Sequence, residues 1–531
     1  MKIRRPHPVL TAALTGALAI GALAGCSAAA AETTSGTGTT TTTVSDVATT
    51  VDDALADNED YTGLAALADE TWDTSSETAV SLDGDSATVS GDGATADGSA
   101  VTISAPGTYR ISGTLDDGQV VVSSEADGVV RLVLDGADIT SSAGSAIAVT
   151  QADDVSVVLA DGSSNSLTDA STYEDTSEDA PNAALFSSDT MVVSGTGALT
   201  VTGRSNDGIA SKDGLVIAGG DITVTAVDDG VRGKDYLVVA GGAIDVDAAG
   251  DGLKADNEDG TNDDGETVGY AALLGGEVTV AAGDDGVHAE SELVVDGATV
   301  TVSESVEGLE AAHILVAGGT VDVTSSDDGF NAAGGTTTTD ETSSDAPAEG
   351  EAPASDAMPQ GERPQGGGGG MPGEAAGDFS LVITGGDVTV DAGGDGLDSN
   401  GTLTVSGGDV TVLGPTDAGN GTLDSASAIT VDGGTLLAVG SSGMLQTPGD
   451  GSEGWVAATF DTLSAGSELA VVDSSGTTVA EVTLTKDAQA AVLASADVTS
   501  GEEYTLRADG ADVAIVTAGE APEGSGMGMR P

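Results

Sequence analysis

Acidic residues recur in this sequence directly before a glycine and an apolar residue, and this triplet is the pattern with the clearest chemical meaning. Its glycine stands at positions 208, 230, 252, 286, 308, 329 and 396, so most neighbouring triplets are 21 or 22 residues apart. The acidic members are Asp207, Asp229, Asp251, Asp285, Glu307, Asp328 and Asp395. Further carboxylates stand one position earlier, at Asp228, Asp284 and Asp327. If the repeats stack in space, these carboxylates form a column.

A column of carboxylates favours a bound cation. Strands of neighbouring repeats would lie about 4.8 Å apart, and two carboxylates at that spacing repel by roughly 1 kcal/mol in water and more where water is excluded. Calcium accepts about six to eight oxygen ligands, including carboxylates and turn carbonyls. We therefore expect Ca²⁺ ligands among Asp207, Asp228, Asp229, Asp251, Asp284, Asp285, Asp327 and Asp328. The alternative for any single Asp is that it caps its own turn.

Three basic residues occupy one equivalent position, two residues after the triplet glycine. They are Arg232, Lys254 and His288, and Lys212 and Lys234 form a second such set four residues after the glycine. One interpretation is charge balance for the neighbouring carboxylates. The other is a site for β-elimination in a uronate polysaccharide, which needs a base at the sugar C5 and a cation that acidifies its proton. In that case Lys254 and Arg232 are the candidate catalytic residues.

The elements that must position these residues are short strands. Apolar or alternating runs such as residues 155–159 are separated by Gly/Asp turns, and Gly pairs such as 219–220 and 241–242 recur between the triplets. A repeat of about 22 residues that contains short strands and Gly/Asp turns predicts one coil of a parallel β-helix. The apolar residue after each triplet glycine would then stack in the core. These residues are Ile209, Val231, Leu253, Val287, Leu309, Phe330 and Leu397.

The distribution of these short strands and turns along the sequence divides the chain into regions. Residues 78–440 are predicted to form the β-helix, and residues 441–520 a small C-terminal β cap with a hairpin at "ELAVVDSSGTTVAEVTL". Residues 335–378 are rich in Pro, Gly, Ser and Thr and predict a disordered insertion. Residues 521–531 are predicted to be a disordered tail. Residues 26–77 are expected to be a flexible Ser/Thr/Ala-rich spacer.

The N-terminal sequence predicts an export signal. Lys2, Arg4 and Arg5 precede an apolar stretch, residues 9–23, that is short for a membrane span. It ends in the letters LAGC, which resemble the bacterial lipobox. We therefore predict a lipoprotein signal peptide over residues 1–25, a lipid on Cys26 and a location at the extracellular side of the plasma membrane. The chain has no second cysteine for an internal disulfide.

Composition narrows the range of partners. Asp and Glu number 88 against 14 Lys and Arg, a net charge of −74, which disfavours nucleic acid and anionic membrane surfaces as partners. One Cys and three His disfavour zinc and copper. Aromatic residues make up only 2 % of the chain, with Tyr236, Tyr270 and Trp455 as scattered candidates for sugar stacking. The low aromatic content favours an acidic or soluble glycan over crystalline cellulose.

Three segments resemble a family of bacterial carbohydrate-binding surface proteins. They are "PNAALFSSDTMVVSGTGALTVTGRSNDGIASKDGLVIAGGDITVTAVDDGVRGKDYLVVAGG", "APGTYRISGTLDDGQVVV" and "GTLDSASAITVDGGTLLAVGSSGMLQTP", and the resemblance covers about residues 80–450. It implies an adhesin-like, right-handed parallel β-helix with bound calcium, similar in fold to family 9 polysaccharide lyases. It also implies binding to plant-type polysaccharides such as cellulose and polygalacturonate. Asp207, Asp228, Asp229, Asp251, Asp284 and Asp285 match the family's turn motif, whereas Val306 and Glu307 depart from it.

Three functions are compatible with these patterns. The leading hypothesis is a lipid-anchored, non-catalytic protein that binds polysaccharide and is stabilised by calcium. The second is a calcium-dependent uronate lyase that uses Lys254. The third is a structural stalk in which calcium only holds the coils together.

Overall fold

The computed structural model describes residues 47–68, 71–177, 180–333 and 377–522. The predicted signal peptide, Cys26, most of the predicted insertion and most of the predicted tail lie outside these residues. Helical structure in the described part is limited to Val51–Ala54 and two 3₁₀ turns, Thr62–Ala66 and Thr74–Ser76. None of the described helices is long and apolar enough to cross a membrane. The predicted all-β class is therefore confirmed.

Most strands pair in parallel with the equivalent strand of the next repeat, and these pairings form three ladders. Ladder A consists of Ala100–Ile103, Gln119–Ser123, Ile147–Gln151, Ala183–Ser187, Asp207–Ser211, Val231–Gly233, Leu253–Ala255, Val287–Ala289, Leu309–Glu310, Phe330–Ala332, Leu397–Ser399 and Leu423–Ser425. Ladder B contains Asp154–Leu159, Met191–Gly195, Gly214–Ile217, Tyr236–Val239, Tyr270–Leu273, Glu292–Val295 and His313–Val316. Ladder C contains Ser164–Thr168, Ala198–Gly203, Asp221–Ala226, Ala243–Ala248, Glu277–Ala282, Thr299–Glu304 and Thr320–Ser325.

Longer strands join ladders B and C at both ends of the series. They are Gly107–Leu115, Val129–Thr140, Ser380–Ala392, Thr402–Leu413 and Thr430–Gly440. The N-terminal end is completed by Thr78–Gly84, Ser86–Ser90 and Ala94–Asp97, and the antiparallel pairings of the first strands occur here. The sheets are therefore large and mostly parallel.

The apolar column predicted from the triplets is present. Ile209 lies opposite Val231, Val231 opposite Leu253, and the register continues through Val287, Leu309, Phe330 and Leu397. All seven side chains are fully buried in the main core. Ladder C supplies a second apolar face, because its strands alternate exposed and buried residues, as in Asp221–Ala226. These small branched side chains suit closely spaced strands.

The triplet glycine is required by close packing between repeats. A Cβ atom on Gly230 would lie 2.6 Å from the carbonyl oxygen of Gly252 and would also overlap Cγ1 of Val246. The same conflict with the following repeat occurs at Gly208, Gly252 and Gly308. The triplet glycine therefore serves the stacking of the repeats, and the carboxylate that precedes it is held at a fixed place in ladder A.

We expect Gly230→Ala to destabilise the protein by about 1–3 kcal/mol, because the added methyl group overpacks a filled interior. Gly63→Ala is the matched control, since a Cβ at Gly63 meets no atom within 4 Å. Urea unfolding of both variants measures the difference. Equal unfolding midpoints for the two variants would contradict the close-packing explanation.

Residues 47–68, which fall within the predicted spacer, pack against the strands. Val51, Leu64 and Leu67 pack on an outward-facing apolar row of ladder B that includes Val216 and Val238. Polar contacts add to this: Ser156 donates a hydrogen bond of 2.8 Å to the carbonyl oxygen of Leu67, and Tyr270 donates one of 2.7 Å to that of Glu59. The scattered apolar residues of this segment thus have a partner surface on the strands.

The C-terminal part of the described chain is antiparallel. Its strands are Trp455–Leu463, Glu468–Asp473, Thr478–Thr483, Ala488–Ser495, Glu503–Ala508 and Ala511–Thr517. Thr430–Gly440 pairs antiparallel with Ala488–Ser495, which ends the parallel series. Glu468–Asp473 and Thr478–Thr483 form the hairpin predicted from the sequence.

Candidate functional site

The triplet carboxylates connect each repeat to the next through backbone hydrogen bonds. Oδ1 of Asp229 accepts the amide N–H of Asp251 at 3.0 Å, and Oδ1 of Asp251 accepts the amide N–H of Asp285 at 2.9 Å. Asp328 accepts the amide N–H of Asp395 in the same way at 2.6 Å. One oxygen of each of these carboxylates is thus used between repeats. The turn-capping alternative placed such hydrogen bonds within each turn, and the structure places them between turns.

Six of the eight predicted metal ligands lie in two compact groups. Carboxylate oxygens of Asp207, Asp228 and Asp229 lie within 4.8 Å of one another, and so do those of Asp251, Asp284 and Asp285. Among the described residues, Asp327 and Asp328 join no group of this kind. Oxygen-only groups of this size have the chemistry that calcium prefers.

A further carboxylate group was missed by the sequence analysis. It consists of Asp395, Asp398 and Asp424, again with carboxylate oxygens within 4.8 Å of one another. Asp398 and Asp424 occupy the column that begins with Arg232 and Lys254, since the register runs from these residues through His288, Glu310 and Asn331. The signal in the sequence was that this column changes from basic to acidic residues along the chain.

The column begins with Arg232 and Lys254, its basic end, and these two residues neutralise the carboxylates beside them. Nζ of Lys254 lies 2.7 Å from Asp251 and 3.2 Å from Asp229. Arg232 makes a close ion pair with Asp256 at 2.7 Å and a longer one with Asp207 at 3.8 Å. The charge-balance interpretation therefore describes these contacts well.

His288 extends this basic end by one repeat. Nδ1 of His288 lies 2.9 Å from Glu310 and 3.3 Å from Asp285. Burial lowers the pKa of His288, but hydrogen bonds to Asp285, Glu290 and Glu310 outweigh it and raise the pKa to about 12. His288 is therefore a cation at neutral pH.

The same balance determines the protonation of Lys254. Burial lowers the pKa of its ammonium group, and the charges of Asp251 and Asp229 outweigh that effect and raise the pKa above its ordinary value. A lysine held in the charged form by two carboxylates cannot accept a proton. In the geometry described here, Lys254 is thus a structural cation, and it can act as a base only if another cation takes over its carboxylates.

The column ends in the acidic residues Asp398 and Asp424, and we call this part, with the neighbouring Asp328 and Asp395, the acidic end. No basic residue of the described chain neutralises these carboxylates. Within the part of the chain that the structure describes, Asp328, Asp395, Asp398 and Asp424 form no ion pair with Lys, Arg or His. Burial and the neighbouring carboxylates raise the pKa of Asp328 and Asp395 to about 6 and that of Asp398 to about 7. A cation would lower the cost of charge at this end.

The negative charge of Asp207, at the basic end, is also unfavourable. Its side chain is 1 % exposed, and burial together with the nearby charge of Asp229 raises its pKa to about 7. Arg232 offsets only part of this, since it lies 3.8 Å away. Asn182 donates a hydrogen bond of 2.8 Å to Asp207.

The aromatic candidates named from the sequence do not form an exposed platform. Tyr236 and Tyr270 stack on each other with ring centroids 5.3 Å apart, and both are buried beneath the N-terminal segment. Trp455 is half-buried against the core. Tyr236 and Tyr270 therefore have no exposed ring face for a polysaccharide, and Trp455 offers only part of its side chain.

Comparisons with known proteins agree with the carbohydrate-binding part of the resemblance seen in the sequence. Residues 97–348 match the family model described as carbohydrate-binding domain-containing protein. A carbohydrate-binding domain-containing protein of Acetivibrio thermocellus is 40 % identical over 128 residues, which is 24 % of this chain and 45 % of that protein. The chain thus spans somewhat less than half the length of this relative.

A solved structure is also similar over part of the chain. It is that of the polysaccharide lyase-like protein from C. thermocellum, determined as a gadolinium derivative, with 36 % identity and a TM-score of 0.41. The match covers 43 % of this chain and 91 % of that chain. Both compact groups of predicted ligands lie within residues 97–348, the segment that matches the model of the carbohydrate-binding domain-containing family.

Proposed function

We propose that this protein binds polysaccharide outside the cell and does so without catalysis. The observation that carries the proposal is the match of residues 97–348 to carbohydrate-binding domain-containing proteins, over the same repeats that hold the two compact carboxylate groups. The net charge of −74 and the exposed acidic residues are compatible with a protein that acts in an aqueous extracellular medium.

The architecture we propose is a right-handed parallel β-helix closed by the C-terminal antiparallel strands. The support is the repeat of about 22 residues and the three ladders in which each strand pairs in parallel with its equivalent in the next repeat. A rigid stack of this kind presents one side of ladder A as a long surface, which suits an extended chain of sugar units.

Calcium is the cation we propose for the carboxylate column. The two compact groups and the group of Asp395, Asp398 and Asp424 offer only oxygen ligands, and the last group lacks a basic partner within the described residues. Calcium would supply positive charge that stabilises the column and can bridge to carboxylates of an acidic sugar.

The N-terminal sequence supports attachment to the membrane. We propose cleavage before Cys26 and lipidation of its thiol, because a basic segment, a short apolar stretch and the letters LAGC stand in the expected order. The lipid would hold the protein at the extracellular side of the plasma membrane, where polysaccharide is within reach.

The proposed ligand is an acidic, plant-type glycan such as polygalacturonate. Cellulose is the weaker candidate, since the aromatic residues Tyr236 and Tyr270 are buried and Trp455 is half-buried. Hydrogen bonds and charge must therefore provide most of the recognition, and both favour a sugar that carries carboxylates.

We expect the purified protein to be retained on insoluble polygalacturonate in the presence of calcium and to be released by a chelator. Retention on cellulose should be weaker. Circular dichroism in the chelator shows whether the protein remains folded when it is released. Failure to bind any glycan in either condition would contradict the proposed function and favour the structural stalk.

A calcium-dependent uronate lyase is the second candidate, and one observation favours it. Lys254 lies between Asp229 and Asp251, so a metal that binds these carboxylates would free its ammonium group to lose a proton. Release of an unsaturated, ultraviolet-absorbing sugar from polygalacturonate distinguishes the lyase from the binder. Loss of that product in Lys254→Met, with glycan binding retained, would establish Lys254 as the base.

A further inference from the structure

The segment of residues 47–68 lies as a strap along the outside of ladder B. Its helix Val51–Ala54 contacts the strand Glu292–Val295. Its other end reaches the repeat that contains Ser156, whose hydroxyl donates a hydrogen bond of 2.8 Å to the carbonyl oxygen of Leu67. The strap therefore crosses several repeats, in the direction opposite to the order of the repeats along the chain.

The strap covers one continuous row of apolar side chains. The row passes in register through neighbouring strands, and its members are Val192, Val216, Val238, Ala272, Val294, Leu315 and Val382. They belong to an apolar cluster separate from the main core, and none is more than 7 % exposed. The strap itself is less well covered, since Val51, Leu55 and Leu64 are only half-buried. The row thus depends on the strap for its burial.

The strap shares little backbone hydrogen bonding with the ladder that it covers. Within the described residues, two backbone hydrogen bonds join it to the rest of the chain. The amide N–H of Glu59 donates to the carbonyl oxygen of Thr267 at 2.9 Å, and the amide N–H of Thr267 donates to the carbonyl oxygen of Asp57 at 2.8 Å. The strands beneath pair with one another in an unbroken series. Opening of the strap at residues 57–59, which we call the clasp, therefore breaks no strand pairing of ladder B.

Side-chain hydrogen bonds fasten the strap at the clasp as well. Asn262, in the insertion of residues 257–269, donates a hydrogen bond of 2.9 Å to the carboxylate of Glu59. Nδ2 of Asn58 donates one of 2.7 Å to the carboxylate of Glu292. Asn58 is 7 % exposed, so this hydrogen bond is shielded from water. The insertion that lengthens one repeat thus holds the middle of the strap.

We propose that the strap is a releasable part of the fold. It opens and closes as one unit while the ladders stay paired, and the clasp determines how often it opens. Elements that share few backbone hydrogen bonds with their surroundings are those that open locally. In a chain attached at its N-terminus, as proposed above, opening adds roughly 70 Å of extended chain between the attachment and the ladders. That consequence rests on the proposed attachment, whereas the opening itself does not.

Thiol labelling at two neighbouring positions of one strand measures this opening. Val238 lies under the strap, and Val239 belongs to the main core. Each is replaced by Cys in purified protein that also carries Cys26→Ser, so that the new thiol is the only one. We expect Val238→Cys to react roughly 100-fold or more faster than Val239→Cys, because local opening costs less than unfolding. It should react more slowly than Thr223→Cys, at an exposed position. Val216→Cys is a second reporter under the strap if Val238→Cys does not fold.

Further substitutions separate the strap from the ladders. Asn58→Ala removes a buried hydrogen bond of the clasp and should increase the labelling rate of Val238→Cys about tenfold. Gly230→Ala destabilises the ladders whether the strap is open or closed. It should therefore increase the labelling rate of Val239→Cys and leave that of Val238→Cys unchanged. Asn400→Ala, the same change as Asn58→Ala at an exposed position outside the strap, should leave the rate of Val238→Cys unchanged.

Three results would overturn the inference. Equal labelling rates of Val238→Cys and Val239→Cys would mean that the strap opens only when the ladders unfold. Equal rates of Val238→Cys and Thr223→Cys would mean that the strap does not cover the row. An unchanged rate in Asn58→Ala would mean that the clasp does not control the strap. None of these rates involves a glycan or a lipid, so the proposed function is tested separately.

Discussion

The calcium-free protein is expected to become less stable as the pH rises from about 5 to about 8, and calcium is expected to reverse this loss. Folding raises the pKa of Asp328 and Asp395 to about 6 and that of Asp398 to about 7, whereas an unfolded Asp titrates near about 3.9. The folded state therefore binds more protons than the unfolded state between these values. Its stability is greatest below the unfolded pKa and declines as the pH passes the folded pKa.

Calcium should act in the opposite direction, because it binds the deprotonated carboxylates. The stabilisation by calcium should consequently be larger at pH about 8 than at pH about 5. Thermal unfolding at both pH values, with calcium and with chelator, gives the four midpoints required. The double variant Asp395→Asn/Asp398→Asn should show a weaker pH dependence, and Asp97→Asn, at an exposed position, should behave as the unmodified protein. Stability that rises with pH in chelator would contradict this account of the acidic end.

Replacement of Lys254 by Met should destabilise the calcium-free protein by about 3 kcal/mol. Lys254 bridges Asp229 and Asp251, which are 6 % and 4 % exposed, so the substitution leaves two buried carboxylates without their cation. Calcium should recover part of the loss, because the ion can neutralise the same two groups. Chemical unfolding with and without calcium measures both effects.

Lys234→Met serves as the control for this substitution. It is the same chemical change on a half-buried lysine that makes no ion pair of 4.0 Å or less within the described residues, so it should cost much less. Equal stability of Lys254→Met and Lys234→Met in chelator would show that the ion pairs of Lys254 contribute little to the fold.

The stacking of repeats could be predicted from the sequence because each repeat carries its own markers. The residue after each triplet glycine is apolar in every repeat, and the register of Ile209, Val231 and Leu253 follows from that regularity. The glycine itself was read as part of a turn, and the structure adds the reason for it: a Cβ at Gly230 would meet the carbonyl oxygen of Gly252.

The features that could not be predicted depend on contacts between distant segments. Residues 47–68 contain no repeat marker, and their position follows only from the apolar row on ladder B that they cover. Asp398 and Asp424 lie after the long insertion, and Asp424 belongs to no triplet, so the sequence pattern did not connect them with Asp395. The hydrogen bond from the amide N–H of Asp251 to the carboxylate of Asp229 likewise follows only once the register of the repeats is known.

We propose that the carboxylate column holds calcium on the surface that binds an acidic glycan. The most direct test is a crystal structure of the protein with calcium and oligogalacturonate, with anomalous scattering used to locate the ions. We predict ions at one or more of the groups that contain Asp207, Asp251 and Asp395, and sugar density on the same side of ladder A. Carboxylate groups that bind only water, with the glycan absent or bound elsewhere, would contradict the claim.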